Sequence, residues 1–366
     1  MNLALKSFEI RGFKGFEHLR FGSFSQVNLL VGKNNTGKTS ILEAIRILVS
    51  PDPWIGIAEI LAKRDEFQIR RRRKRATAPA VGDYPLAFEA LFYGRPDVDV
   101  GPRFSLGAVG ERPLEVSLVW VRRIENLTDG QIRYAAVSDE GEARLDPDVV
   151  SGLCFDRGYR LLMPLERIER WGRRRFREEN SNIIYLASSG MAFDELGRIW
   201  DAVALTADED VVVEVLRIIE PRLEKLVLVQ SPRSSERLLM AKLSSFPEPI
   251  PFRSLGEGIF HVLSIILALI KARSGVLLID EIENGIHFSV QMYLWAVVIS
   301  FAKAWNVQVF STTHSWDCVT GFAAALSQER GDGALFRLEG EAGNITAIPF
   351  DSDELRLVSH EHIEVR

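Results

Sequence analysis

The sequence predicts an α/β fold on a parallel core sheet, and three observations carry that prediction. An apolar run, Val27 to Val31, leads straight into Gly32-Lys-Asn-Asn-Thr-Gly-Lys-Thr39, and a helical pattern follows. Far downstream a second apolar run, Val276 to Ile279, ends in Asp280 and Glu281. After Leu255, helical and extended patterns alternate, as they do where crossover helices join parallel strands.

Size and composition set the bounds. At roughly 100–200 residues per domain, 366 residues make two or three domains' worth of chain. With 46% hydrophobic and 26% charged residues, it is neither mainly disordered nor collagen-like nor a coiled coil. Forty-five Lys and Arg against 50 Asp and Glu leave a net charge of −5, so no general basic field draws in nucleic acid. Cys154 and Cys318 supply neither a disulfide framework nor a CxxC metal pair, and read as buried thiols. The start, MNLALKSFEI, lacks a basic segment followed by an apolar one, so no secretory leader is expected. The longest apolar run, Ile259 to Ile270, is shorter than the ~20 residues a bilayer requires. It reads as a buried helix. The expectation is a cytoplasmic protein with no membrane contact.

Along the chain, alternation near Leu3, Leu5 and Phe8, then Leu19 and Phe21, predicts strands before the run at Val27. Ile41, Leu42, Ile45 and Leu48 fall at helical spacing over 38–49, and Pro51 and Pro53 read as the stop. Arg70 to Arg75 reads RRRRKR, six consecutive cations. From Pro85 to about Val137, LAFEALFYG, RFSLGAV, PLEVSLVWV and QIRYAAV predict a small antiparallel β subdomain. A second basic stretch, Arg167 to Arg177, interleaves arginines with Trp171 and Phe176. Residues 183–186 read as a strand and 193–226 as largely helical. Beyond Leu255 the expected order is a helix over 259–271, a strand over 276–279, a helix from about 288 to 304 and a strand over 307–311.

The segment Gly32-Lys33-Asn34-Asn35-Thr36-Gly37-Lys38-Thr39 matches the P-loop pattern, in the strand-to-helix context that pattern needs. Its glycines let backbone N–H groups converge on phosphate oxygens at a helix N-terminus. Lys38 would reach the β- and γ-phosphates of ATP, and Thr39 would offer a hydroxyl to Mg²⁺. At the carboxyl edge of a parallel strand, Asp280 would order the Mg²⁺ shell and Glu281 would polarise an attacking water. His314, in Ser311-Thr-Thr-His-Ser315 at the end of the next strand, would sense the γ-phosphate. His287 is close enough in sequence to Glu281 to line the same cleft, and His261 has no such support.

Taken together, RGFKGF at 11–16, GKNNTGKTS at 32–40, SLGEG at 254–258, LLIDEIENGIH at 277–287 and STTHS at 311–315 resemble an ABC-type ATPase head. The likeness is to the RecF, SMC and OLD group, and most of all to stand-alone OLD-like ATPases. It covers both ends of the chain. The resemblance implies a P-loop ABC-type head at 1–55 and 251–366, interrupted over 56–250 by an antiparallel β subdomain and a basic, helical insertion.

It also implies that two heads sandwich ATP and Mg²⁺. The nucleotide would lie against residues 32–40, Ser40 included, of one head and against Ser254, Gly256 and Glu257 of the other. Leu255 stands where the commonest form of this motif has Gly. The glutamine that links the lobes in this family has two candidates, Gln68 and Gln131. The stretch after His314 is too short for the Toprim nuclease domain of full OLD nucleases, and long heptad arms are absent. The expectation is therefore a regulatory ATPase of an anti-phage module with a separate, nuclease-type effector. A RecF-like repair ATPase and an ATP-gated scaffold with little turnover are the alternatives. The stretches Arg70 to Arg75 and Arg167 to Arg177 would contact nucleic acid or an acidic protein surface.

Overall fold

The computed structural model describes residues 3–67, 85–96, 100–125, 132–173, 182–230, 237–329, 332–340, 343–350 and 354–355. The chain opens with an antiparallel hairpin, β1 (Phe8–Phe13) and β2 (Phe16–Phe21), followed by β3 (Val27–Gly32) and α1 (Lys38–Val49). α1 ends at Val49, ahead of the two prolines as expected. Pro53 also opens a further helix, α2 (Pro53–Lys63), because a missing N–H is tolerated in a first turn.

The middle of the chain supplies β4 (Arg103–Gly107), β5 (Leu114–Glu125), β6 (Ile132–Val137), α3 (Glu140–Leu145), β7 (Val149–Asp156), β8 (Arg160–Pro164) and α4 (Leu165–Arg173). All these strands pair antiparallel and extend the β1–β2 hairpin into one sheet, β2-β1-β4-β5-β7-β8, with β6 added on β5. The stretch 86–94, expected as a strand, instead holds a 3-10 turn over Phe88–Leu91. Phe88, Leu91 and Phe92 recur at a helical interval and are all buried.

Next are β9 (Ile183–Leu186), α5 (Phe193–Val203), α6 (Ala207–Leu216), β10 (Leu223–Gln230), β11 (Arg237–Leu243) and β12 (Ile250–Pro251). The helical reading of 193–226 ran too far. α6 ends before Pro221, and the alternating stretch after it pairs with β11. The last third is α7 (Glu257–Lys271), β13 (Val276–Ile279), α8 (Phe288–Ala304), β14 (Gln308–Thr313), α9 (Trp316–Glu329), β15 (Gly333–Glu339) and β16 (Thr346–Phe350).

The central sheet runs β16-β15-β3-β14-β13-β9, parallel except for β16. It divides two apolar cores. Val27, Leu29, Leu277 and Ile279 face the helices α5 to α9, whereas Leu30, Val276 and Leu278 face α1, α2 and the antiparallel sheet. Covered on both sides, β3 and β13 are buried along their length, which is why they read as continuous apolar runs. From Ile259 to Leu269 α7 is enclosed on all sides, which is why that stretch reads as an unbroken apolar helix. No helix among the described residues is long and apolar enough to cross a membrane.

Candidate nucleotide site

The site starts where β3 gives way to a loop and then to α1. Gly37 closes that loop in the left-handed region, at φ 82°. A β-carbon there would sit 2.4 Å from the tip of the Phe16 ring, so this position combines a conformational and a steric demand for glycine. Phe16 comes from the RGFKGF turn, so that turn packs directly against the P-loop. Asn35, also left-handed at φ 68°, is a residue type that tolerates it. The Lys38 ammonium donates to the carbonyls of Gly32 at 2.6 Å and Lys33 at 3.0 Å. Burial pulls the Lys38 pKa below the ordinary lysine value, against the opposing pull of Glu281, Asp280 and Glu283.

Parallel pairing of β13 with β14 and β9 brings the rest to the same sheet edge. The Thr39 hydroxyl lies 3.0 and 3.2 Å from the two Asp280 oxygens. The Thr312 hydroxyl donates to Asp280 Oδ1 at 2.6 Å and accepts the Glu281 N–H at 2.8 Å. Tyr185 on β9 donates toward Asp280 Oδ2 at 3.5 Å. Glu281 itself is left-handed, φ 51°, so the chain turns sharply as β13 ends. His314 Nδ1 stands 3.7 Å from Glu281 Oε1 and 3.2 Å from Glu283 Oε1. Thus Lys38, Thr39, Asp280, Glu281 and His314, named from sequence, converge on one edge. Thr39 and Asp280 form an all-oxygen donor pair that suits a hard cation such as Mg²⁺, which retains water and phosphate ligands.

Sequence reading missed the support around these groups. Lys14, in the hairpin turn, donates to Glu43 of α1 at 2.6 Å, and Arg64 at the end of α2 donates to the other Glu43 oxygen at 2.7 Å. Burial lowers the Lys14 pKa, and the Glu43 charge opposes that. The Tyr185 ring packs beneath Arg46 at 5.6 Å and Lys63 at 5.5 Å. Burial, with the Asp280 charge, raises the Tyr185 pKa and keeps the phenol protonated as a donor.

Ser254, Gly256 and Glu257 lie elsewhere. They are exposed at the start of α7 and make no hydrogen bond or ion pair with the P-loop among the described residues. Gly258 is held tightly, since a β-carbon there would meet the Gly285 carbonyl at 2.3 Å. His287 caps α8 by accepting the Ser289 N–H, and His261 is buried in α7. Gln68, Gln131 and Arg70 to Arg75 lie outside the described residues. Of the second basic stretch, Arg167 and Arg170 are exposed on α4, while 174–177 lie outside the described residues.

Two families match the chain: an "AAA ATPase domain" over residues 4–77, and over 124–317 an "AAA domain, putative AbiEii toxin, Type IV TA system". An "ATP/GTP phosphatase" of Helicobacter pylori is 23% identical over 353 residues, 86% of each protein. Among solved structures, an SMC head bound to the C-terminal winged-helix domain of ScpA has a TM-score of 0.49 at 12% identity, covering 95% of this chain and 97% of that one. The SMC head domain of Thermotoga maritima has a TM-score of 0.45 at 13% identity, covering 95% and 100%. With the second family spanning more than half its length, the chain belongs to these AAA-domain proteins and is an ATPase of that family.

Proposed function

We propose that this protein is a Mg²⁺-dependent ATPase whose two heads close on ATP, acting as the sensor or regulatory subunit of a prokaryotic anti-phage complex with a separate nuclease-type effector. The observation that carries the enzymatic part is the cluster Thr39, Asp280, Thr312 and Glu281, one hydrogen-bonded unit at the mouth of the P-loop. In it, Lys38 and the loop amides bind the phosphates, and Thr39 with Asp280 would hold Mg²⁺. The ion supplies neutralisation of the phosphate oxygens when bound. Glu281 orients and polarises the attacking water, and His314 contacts the γ-phosphate. Ser254, Gly256 and Glu257, exposed at a helix start, contact the nucleotide held by the second head. The proposed head segments at 1–55 and 251–366 are joined by the stretch 56–250, part of which, β9, lies in the central sheet with them.

The toxin–antitoxin setting of the matching family is in keeping with a two-component system, which favours the regulatory reading over a repair ATPase acting alone. Phosphate release from ATP and from GTP, with and without Mg²⁺, tests the enzymatic reading. Release should need Mg²⁺ and fall to background in Lys38→Ala. Equal release by wild type and Lys38→Ala, with the partner present, would sink it.

A further inference from the structure

The 3-10 turn Phe252–Leu255 brings Arg253 to the surface beside Ser254. Phe252 is buried beneath the turn, and the Gly256 N–H closes it on the Arg253 carbonyl at 3.2 Å. The guanidinium lies over two aromatic rings, 5.0 Å from the centroid of Phe260 on α7 and 5.9 Å from that of Phe193 on α5. It makes no hydrogen bond or ion pair among the described residues, and the carboxylate of Glu257, four residues on, does not take it up. Arg46, Arg273 and Arg337 also lie over aromatic rings, but each of them meets a carboxylate too, Glu59, Asp208 and Glu339.

A guanidinium steadied by rings loses little freedom when it binds, and its fork of N–H donors stays open to an oxyanion. The approach is clear. Gly256 is left-handed at φ 107°, and a β-carbon there would meet nothing within 4 Å. α7 starts at that point, with no side chain capping its first N–H groups.

We infer that Arg253 is a catalytic residue that acts across the dimer. Its guanidinium binds the γ-phosphate of the nucleotide held in the P-loop of the second head, and offsets the charge that develops as the phosphoryl bond breaks. In that step the water oxygen bonds to the γ-phosphorus and its proton passes to Glu281 of the head that holds the nucleotide. The bond from phosphorus to the bridging oxygen breaks, leaving ADP and phosphate. This rests on the closure of two heads on ATP proposed above.

Arg253→Ala should lower phosphate release by about 100-fold or more, while a dilute, monomeric chain binds ATP as wild type does. The decisive measurement mixes two full-length variants, Arg253→Ala and Lys38→Ala, before ATP is added. At one of its two sites, a mixed dimer pairs the intact P-loop of one chain with the intact Arg253 of the other. Random pairing should then return release to about a quarter of the wild-type rate, far above either variant alone. Mixing that restores nothing places Arg253 in its own head or in the fold, and overturns the inference. So does an Arg253→Ala chain as active as wild type. Wild type that releases phosphate while staying monomeric in ATP refutes the closure of two heads, and the inference with it. Wild type that dimerises with ATP but releases no phosphate refutes only the hydrolytic reading. The ATP-dependent dimer is then the readout, and Arg253→Ala should lose it; an unchanged dimer overturns the inference.

Discussion

Thr312 has one hydroxyl proton, and Asp280 takes it at 2.6 Å while the Glu281 N–H fills a lone pair at 2.8 Å. A single side chain thus ties the proposed metal ligand to the backbone of the proposed base. The strings carrying Lys38, Asp280 and His314 were legible because each is a local pattern with a fixed chemical purpose. Thr312, Tyr185 and Glu43 were not, because their partners lie on other elements and only the folded sheet edge brings them together. Glu43 shows what is at stake. The side chains of Lys14 and Glu43 are 10% and 6% exposed, so deleting Glu43 leaves Lys14 buried without its counter-charge. Glu43→Ala should cost about 3–5 kcal/mol, read as a lower urea midpoint. Lys14→Met with Glu43→Leu should recover most of that, and a double variant as unstable as the single would refute the argument.

At the scale of elements, α7 joins the exposed Ser254-Gly256-Glu257 face to the interior of the site. Gly258 abuts the Gly285 carbonyl, and His261, one turn further along, is buried against the turn that follows β13. Burial lowers the His261 pKa to about 4 from 6.5, opposed by a hydrogen bond to the Ile282 main chain. The unfolded chain therefore binds this proton more readily between those values. The associated stability is present in full above about 6.5 and is lost as pH falls toward 4, at most about 3 kcal/mol. Thermal melts across that window should show Tm falling on acidification, with a shallower fall in His261→Gln. An identical slope in the variant would remove His261 from the account. α1, α8, β13 and β14 were legible from their periodicity. α2 was hidden by Pro53, and the 86–94 turn was hidden by a short apolar run that suits either period.

For the whole molecule, the proposed closure of two heads on nucleotide has a direct signature. Glu281→Gln keeps the shape of the site but loses the base, so it should bind ATP and elute as a stable dimer, while wild type returns to monomer as ATP is consumed. A monomeric Glu281→Gln protein with undiminished turnover would contradict both the dimer and the role of Glu281. The α/β class was legible from alternating patterns after Leu255. The enlargement of the antiparallel sheet to include β1, β2, β7 and β8 was not, since strand pairing between distant segments leaves no local trace.

The position of β3 has a consequence for how the protein is made. Its neighbours are β14 and β15, paired through Val27 with Val309 and with Gly333, so the P-loop strand is translated long before either of its partners. A nascent chain on the ribosome therefore exposes an apolar strand with both edges open until β14 and β15 have emerged. The nucleotide site is assembled only after that, and a chain halted before β14 has no sheet in which to seat it.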